Sequence, residues 1–183
     1  MEPPLPRLLL HICCGPCATT VVERLRDEYD ITGFFFNPNI HPKEEYRLRL
    51  EAARVVTDRL GIPLIEGEYD PDVFFAAVRG LEEEPENGAR CPVCFRLRLA
   101  ETARRARGEG FDCIASTLTI GPMKKAAIID PIGEEESART GVAFVCGDWK
   151  KRDGFRRSCE LSREFGIYRQ HYCGCVFSIR DDT

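Results

Sequence analysis

The chain has 183 residues, 43% of them hydrophobic and 31% charged, with a net charge of −4. That is enough for one domain with one sizeable core, and the acidity argues against a nonspecific nucleic-acid binder. No apolar run approaches the ~20 residues that cross a bilayer, and the N-terminus has neither a basic region nor a small-residue cleavage site, so no membrane partner, no signal peptide and a cytoplasmic location are expected.

Strand-like and helical runs alternate along the chain. LLLHIC (8–13) is apolar on both faces, as a central parallel strand is. It runs into HICCGPC (11–17), with three cysteines in five positions, and then into an amphipathic stretch, 17–29. ITGFFFN (31–37) is the second expected strand. Asn37-Pro38-Asn39 then reads as a turn, whose amides are also candidates for bonding a substrate ring or nucleotide. A helix over 44–61 carries Leu48, Ala52, Val55 and Val56 at helical spacing and stops at Gly61. IPLIEGEY (62–69) is the third strand. EEEPE (82–86) is acidic, and Pro85 to Gly88 marks a loop. Cys91-Pro92-Val93-Cys94 is a ligand knuckle ahead of a helix over 95–110, which ends in glycine. FDCIASTLT (111–119) and GVAFVCGD (141–148) complete five strands.

Alternating β and α units predict an α/β fold. The expectation is a single-domain, Rossmann-like parallel sheet flanked by helices, spanning residues 1–183. In such a sheet function sits at the carboxyl ends of the strands. Cys13, Asn37, Asn39, Ser116, Thr117 and Asp148 fall at such ends. The first helix would begin at the cysteine turn, where its N-terminus favours thiolates. The segment 149–180 holds eight Lys/Arg against three Asp/Glu, together with Tyr168, His171 and Tyr172. Such a face suits an anionic polymer.

The ten cysteines are unevenly placed. Cys113, Cys146 and Cys159 stand alone and read as small structural hydrophobes, Cys113 and Cys146 in apolar runs and Cys159 on a helix. The other seven form three groups: Cys13, Cys14 and Cys17; Cys91 and Cys94; Cys173 and Cys175. A thioredoxin-like dithiol would use Cys14 and Cys17 and leave five unexplained. A structural zinc site from the knuckle and Cys173/Cys175 would be closed with four thiolates. A four-iron cluster also takes four and leaves about three for a second metal or a thiol pair. The CxxxCxxC of radical enzymes is absent.

Several segments together resemble the cobalamin-independent epoxyqueuosine reductases of the queuosine tRNA pathway. They are HxCCGPC (11–17), FFNPNIHPxxEYxxR (35–47), RCPVCFRLRL (90–99), ASTLT (115–119), DWKKRDGFRRSCELSREF (148–165) and IYRQHYCGCVFS (167–178). The layout also looks like the PP-loop branch of the adenine-nucleotide hydrolase folds (the HUP class). Here CCGPC stands where those enzymes keep a Ser/Gly-rich pyrophosphate loop, so ATP chemistry is expected to be lost.

The resemblance implies reduction of the epoxide of epoxyqueuosine, at the tRNA wobble position, to the alkene of queuosine with loss of water. It implies a [4Fe-4S] cluster and an additional iron or other divalent metal, held among Cys13, Cys14, Cys17, Cys91, Cys94, Cys173 and Cys175. Segment 148–183 would complete that site. Cys13, Cys17 and Asp148 are the candidate catalytic groups, Asp148 as oxygen ligand or proton donor and otherwise as a salt-bridge partner. Tyr46 and Tyr168 are alternative proton donors or core residues, and His11 is expected to be a hydrogen-bonded core histidine. Lys150, Lys151, Arg156, Arg157 and Arg169, with Lys124 and Lys125, are candidates for phosphate contacts. Partners would be a tRNA containing epoxyqueuosine and, with no GxGxxG fingerprint in the chain, an external electron-donor protein; DNA is not expected. The alternatives are an iron–sulfur tRNA-sulfurating enzyme of PP-loop type and a zinc-stabilised binding module.

Overall fold

A computed structural model describes residues 3–179 of the chain. Five strands, all parallel, form one sheet in the order β3-β2-β1-β4-β5. The strands are β1 Arg7–His11, β2 Asp30–Phe35, β3 Leu64–Glu66, β4 Cys113–Ser116 and β5 Ala143–Phe144. The helices are α1 Gly15–Leu25, α2 Lys43–Leu60, α3 Pro71–Ala77, α4 Arg90–Glu109, α5 Ala126–Thr140 and α6 Gly154–Phe165. The expected α/β class and the five expected strands are present, each strand shorter than its apolar run. Of the basic segment, Arg180 lies outside the described residues.

The central strand explains its own apolarity. Leu8 and Leu10 pack with Val21 and Val22 of α1 and Ala53 and Val56 of α2 on one face. Leu9 packs with Phe34 of β2 and Ala103 and Ala106 of α4 on the other. All three leucines are fully buried. At roughly 25 cal/mol per Å² of apolar surface, each contributes on the order of 2 kcal/mol or more.

Three differences from the sequence reading have physical causes. α4 begins at Arg90, so the CPVC knuckle forms its first turn rather than preceding it. Pro92 is tolerated there because first-turn N–H groups have no helical acceptor. α5 was not expected, because Pro131 and Gly133 interrupt its pattern. It packs against α4, and Gly133 is needed because the Phe144 ring occupies the space of a Cβ. Cys146 is exposed rather than buried. β5 pairs for only two residues, and the chain has left the sheet before it reaches that cysteine.

Candidate metal centre

The strands end on one side of the sheet, and the chain that follows β1, β2 and β4 converges there. The turn after β1 carries Cys13 and Cys14. Cys14 is the extended residue before α1, and Pro16 sits in the first helical turn. Gly15 lies where α1 meets α2 so closely that a Cβ would fall 2.7 Å from the backbone of Ala52. The chain bends at Cys13, ahead of the extended Cys14, and the two adjacent sulfurs come together. They are 3.9 Å apart, and Cys14 Sγ is 2.7 Å from Cys17 Sγ. The three sulfurs lie within 4.8 Å of one another, the one such trio of ligand atoms among the described residues.

A cavity of about 440 Å³ opens beside this trio. Cys13, Cys17, Cys91, Cys94, Cys173 and Cys175 line it, brought from three separate stretches of the chain. Cys14 is buried against Cys17. Cys91 and Cys13 abut the apolar group built on Phe95, Leu99 and Leu118. Cys94, Cys173 and Cys175 pack together around Phe74 and Val78.

The loop that presents Cys173 and Cys175 is tied to α2. Arg49, itself buried, pairs with Glu45 at 2.7 Å and donates to the carbonyls of Tyr172 at 2.9 Å and Cys173 at 3.1 Å. The Tyr168 hydroxyl donates to the other oxygen of Glu45 at 2.7 Å. Gly174 has φ +105°, and Arg49 and Ile40 occupy the space of a side chain there. His41 N–H closes the loop by donating to Gly174 O at 2.9 Å.

The thiols differ in acidity. Hydrogen bonds from Cys14 and Cys17 hold Cys13 well below the ordinary thiol range, and the Thr117 hydroxyl, 3.2 Å away, adds to this. Burial raises Cys14, and the bond it gives to Cys13 raises Cys17. Burial also pushes Cys94 up to about 11. Gln170 Nε2 lies 2.9 Å from Cys14 Sγ and donates to it. Within the trio Cys13, Cys14 and Cys17, Cys13 is therefore the thiol whose metal-free surroundings favour a thiolate.

The other candidates separate. Asn39 lines the cavity, whereas Asn37 is buried and donates to Ile12 O at 2.9 Å. The side-chain oxygens of both asparagines are buried without a partner. His11 is buried between Ser116 Oγ at 3.0 Å and Phe36 O at 3.1 Å, and burial lowers its pKa to about 4. It is the neutral core histidine expected. Since the Phe36 carbonyl only accepts, Nε2 carries the proton. Tyr46 stacks on Tyr69 at 3.9 Å and does not line the cavity; burial raises its pKa to about 12.

Lys124 and Arg169 line the cavity. Asp148 does not, and it holds Lys150 at 2.7 Å and Lys151 at 3.4 Å. Arg156 and Arg157 lie on the exposed side of α6, paired with Asp153 and Glu23. Lys125 is the residue before α5. Sequence reasoning missed Arg49, Arg98 and Gln170 as neighbours of the cysteines. Only Arg98 left a local signal, one helical turn beyond Cys94.

Comparison with known proteins follows the same segments. A family profile described as epoxyqueuosine reductase QueH matches residues 8–181. Epoxyqueuosine reductase QueH of Streptococcus pyogenes serotype M1 is 42% identical over 181 residues, covering 96% of this chain and 71% of that protein. The QueH of Thermotoga maritima is 36% identical over 176 residues, covering 94% and 90%. Among solved structures, the U34-tRNA thiolase NcsA from Methanococcus maripaludis, determined with its [4Fe-4S] cluster, aligns with a TM-score of 0.61. It is 14% identical and covers 97% of this chain and 63% of that one, a likeness of fold alone. The profile match takes in all seven grouped cysteines, from the turn after β1 to the loop after α6: the chain belongs to the epoxyqueuosine reductase QueH family.

Proposed function

We propose that this epoxyqueuosine reductase works on tRNA in the cytoplasm, with a [4Fe-4S] cluster and one additional iron held among its seven grouped cysteines. The observation that carries the reading is the single cavity lined by six cysteines from three stretches of chain, with Cys14 against Cys17. The donor set fits: the sulfurs are soft ligands, more numerous than one closed zinc site uses, and the cavity is roomier than a single ion needs. An iron–sulfur cluster held by these cysteines would supply electrons singly, and a second iron would supply Lewis acidity.

The chain's own residues do the rest. The reaction takes two electrons and two protons, converts the epoxide to an alkene and releases its oxygen as water. Phe95, Leu118 and Ile120 make the cavity wall apolar and exclude water from the reacting ring. Asn39 offers the nucleoside an amide, its buried oxygen still seeking a donor. Arg169 places positive charge on the cavity wall for the RNA backbone, beside Lys124, which pairs with Glu86 at 3.5 Å. Asp148 serves by ordering Lys150 and Lys151. The hydroxyl of Tyr168 is committed to Glu45, so this tyrosine steadies the C-terminal cysteine loop. Electrons come from a separate donor protein.

The test is anaerobic reconstitution with iron and sulfide, incubation with epoxyqueuosine-containing tRNA and a strong reductant, and nucleoside mass analysis. Queuosine should form in the wild type. Cys91→Ala and Cys94→Ala should lose the brown chromophore, while Cys113→Ala should keep it. Equal iron in all three variants would remove the ligand assignment. One zinc with no iron or sulfide would instead favour a zinc-stabilised module. Tight ATP binding would favour the tRNA-sulfurating reading, to which only the fold likeness lends support.

A further inference from the structure

Three buried arginines face the cysteine cavity: Arg49, Arg90 and Arg98. Arg49 has its carboxylate, Glu45. Arg90 gives its donors to the carbonyls of Leu81, Glu82 and Glu84 and so ties down the loop before α4. Arg98 is different. It is 4% exposed, and among the described residues it forms no ion pair. Its Nε donates to Cys94 O at 3.2 Å and its Nη2 to Cys94 Sγ at 3.3 Å. Other arginines of α4 do find acids: Arg96 pairs with Glu135 and Glu136, Arg104 with Glu101, Arg105 with Glu109. They lie on the more exposed sides of the same helix.

A buried cation without an anion is expensive, because desolvation is not offset by Coulomb attraction. A fold that keeps one at the wall of a thiol-lined cavity is arranged for a cavity whose contents are negative. Neutral thiols do not meet that need; thiolates gathered around iron do. We infer that Arg98 is a potential-tuning residue: its guanidinium balances an anionic, thiolate-held cluster, and through its bond to Cys94 Sγ it stabilises the state with one more electron. This rests on the cluster reading above. The electron comes from the external donor and adds one negative charge to the cavity, so a fixed cation beside a sulfur ligand favours the reduced side.

The experiment uses the full chain and the variants Arg98→Met and Arg98→Lys, read in two ways. In metal-free protein, Arg98→Met should raise the thermal midpoint, because it removes an uncompensated charge while keeping an unbranched apolar stem. Arg98→Lys should not raise it. In reconstituted protein, an anaerobic redox titration followed by electron paramagnetic resonance should move the midpoint of Arg98→Met to more negative potential. The expected change is at least tenfold in the reduction equilibrium, about 59 mV for a one-electron couple. Arg98→Lys should stay near the wild type.

An unchanged potential in Arg98→Met at full iron content overturns the inference. So does a metal-free Arg98→Met that is less stable than wild type or unfolded, since that is the signature of a packing strut. Loss of iron from Arg98→Met alone, with the metal-free protein stabilised and Arg98→Lys still loaded, supports the inference through charge. A wild type that takes up no iron and sulfide defeats the cluster reading, and the metal-free comparison still decides whether Arg98 is an unbalanced charge.

Discussion

Gly15→Ala is a one-carbon change at the most crowded point of the cysteine turn. Its Cβ would stand 2.7 Å from both the carbonyl carbon and the carbonyl oxygen of Ala52, and 2.9 Å from the Ala52 Cβ. Ordinary contact begins near 3.4 Å, so α1 must withdraw from α2 by several tenths of an ångström. The obstacle is helix backbone, which does not rotate away. Forcing an extra carbon into a packed interface costs typically ~1–3 kcal/mol. For a chain of this size each kcal/mol lowers the thermal midpoint by roughly 2–4 °C, so a fall of about 2–12 °C is expected. Since Cys14 and Cys17 flank Gly15, iron content after reconstitution should fall as well. Calorimetry of the metal-free protein and iron analysis of the loaded protein read the two effects separately. Adding Ala52→Gly should restore little, because two of the three close contacts are to backbone, and glycine inside a helix itself costs about 1 kcal/mol. Gly15→Ala with a midpoint within 1 °C of wild type and full iron would refute this account of the turn.

Cys13→Ser should abolish epoxide reduction even where iron is still bound; near-normal turnover together with a reversible Cys14–Cys17 disulfide in the wild type would favour a dithiol switch instead. Replacing Lys150 and Lys151 by Ala should weaken tRNA binding and flatten its salt dependence by about 0.7–0.9 in log–log slope per lost phosphate contact, with the cluster spectrum unchanged. An unaltered affinity and slope would leave those lysines as partners of Asp148 only. Tyr168→Phe removes the bond to Glu45 and should cost roughly 1 kcal/mol in chemical denaturation, with the loss of iron easier under a chelator. A variant that holds iron as tightly as wild type would show that Arg49 alone secures the C-terminal loop.

The amino-acid sequence by itself determined the sheet. Leu8, Leu9 and Leu10 have no polar side to offer water, so β1 had to be covered on both faces, and the alternation of strand and helix then left a parallel α/β fold. It also separated the seven grouped cysteines from Cys113, because groups two to four residues apart can converge and an isolated cysteine in an apolar strand cannot. Four things needed the tertiary structure. Gly15 is required by the backbone of α2, 37 positions on in sequence, which no local pattern announces. α5 was hidden because Pro131 and Gly133 weaken its local signal, while its packing on α4 and the ring of Phe144 supply the reason for it. The basic character of the C-terminal segment was legible as a count of charges but not as a surface: side-chain partners scattered from Glu23 to Glu160 take up several of those charges. Arg98, buried in contact with a cysteine sulfur and without an acid, sits in a helix full of arginines. The rotation of α4, set by its packing on β1 and α5, turns it inward, away from the acids that pair with Arg96, Arg104 and Arg105.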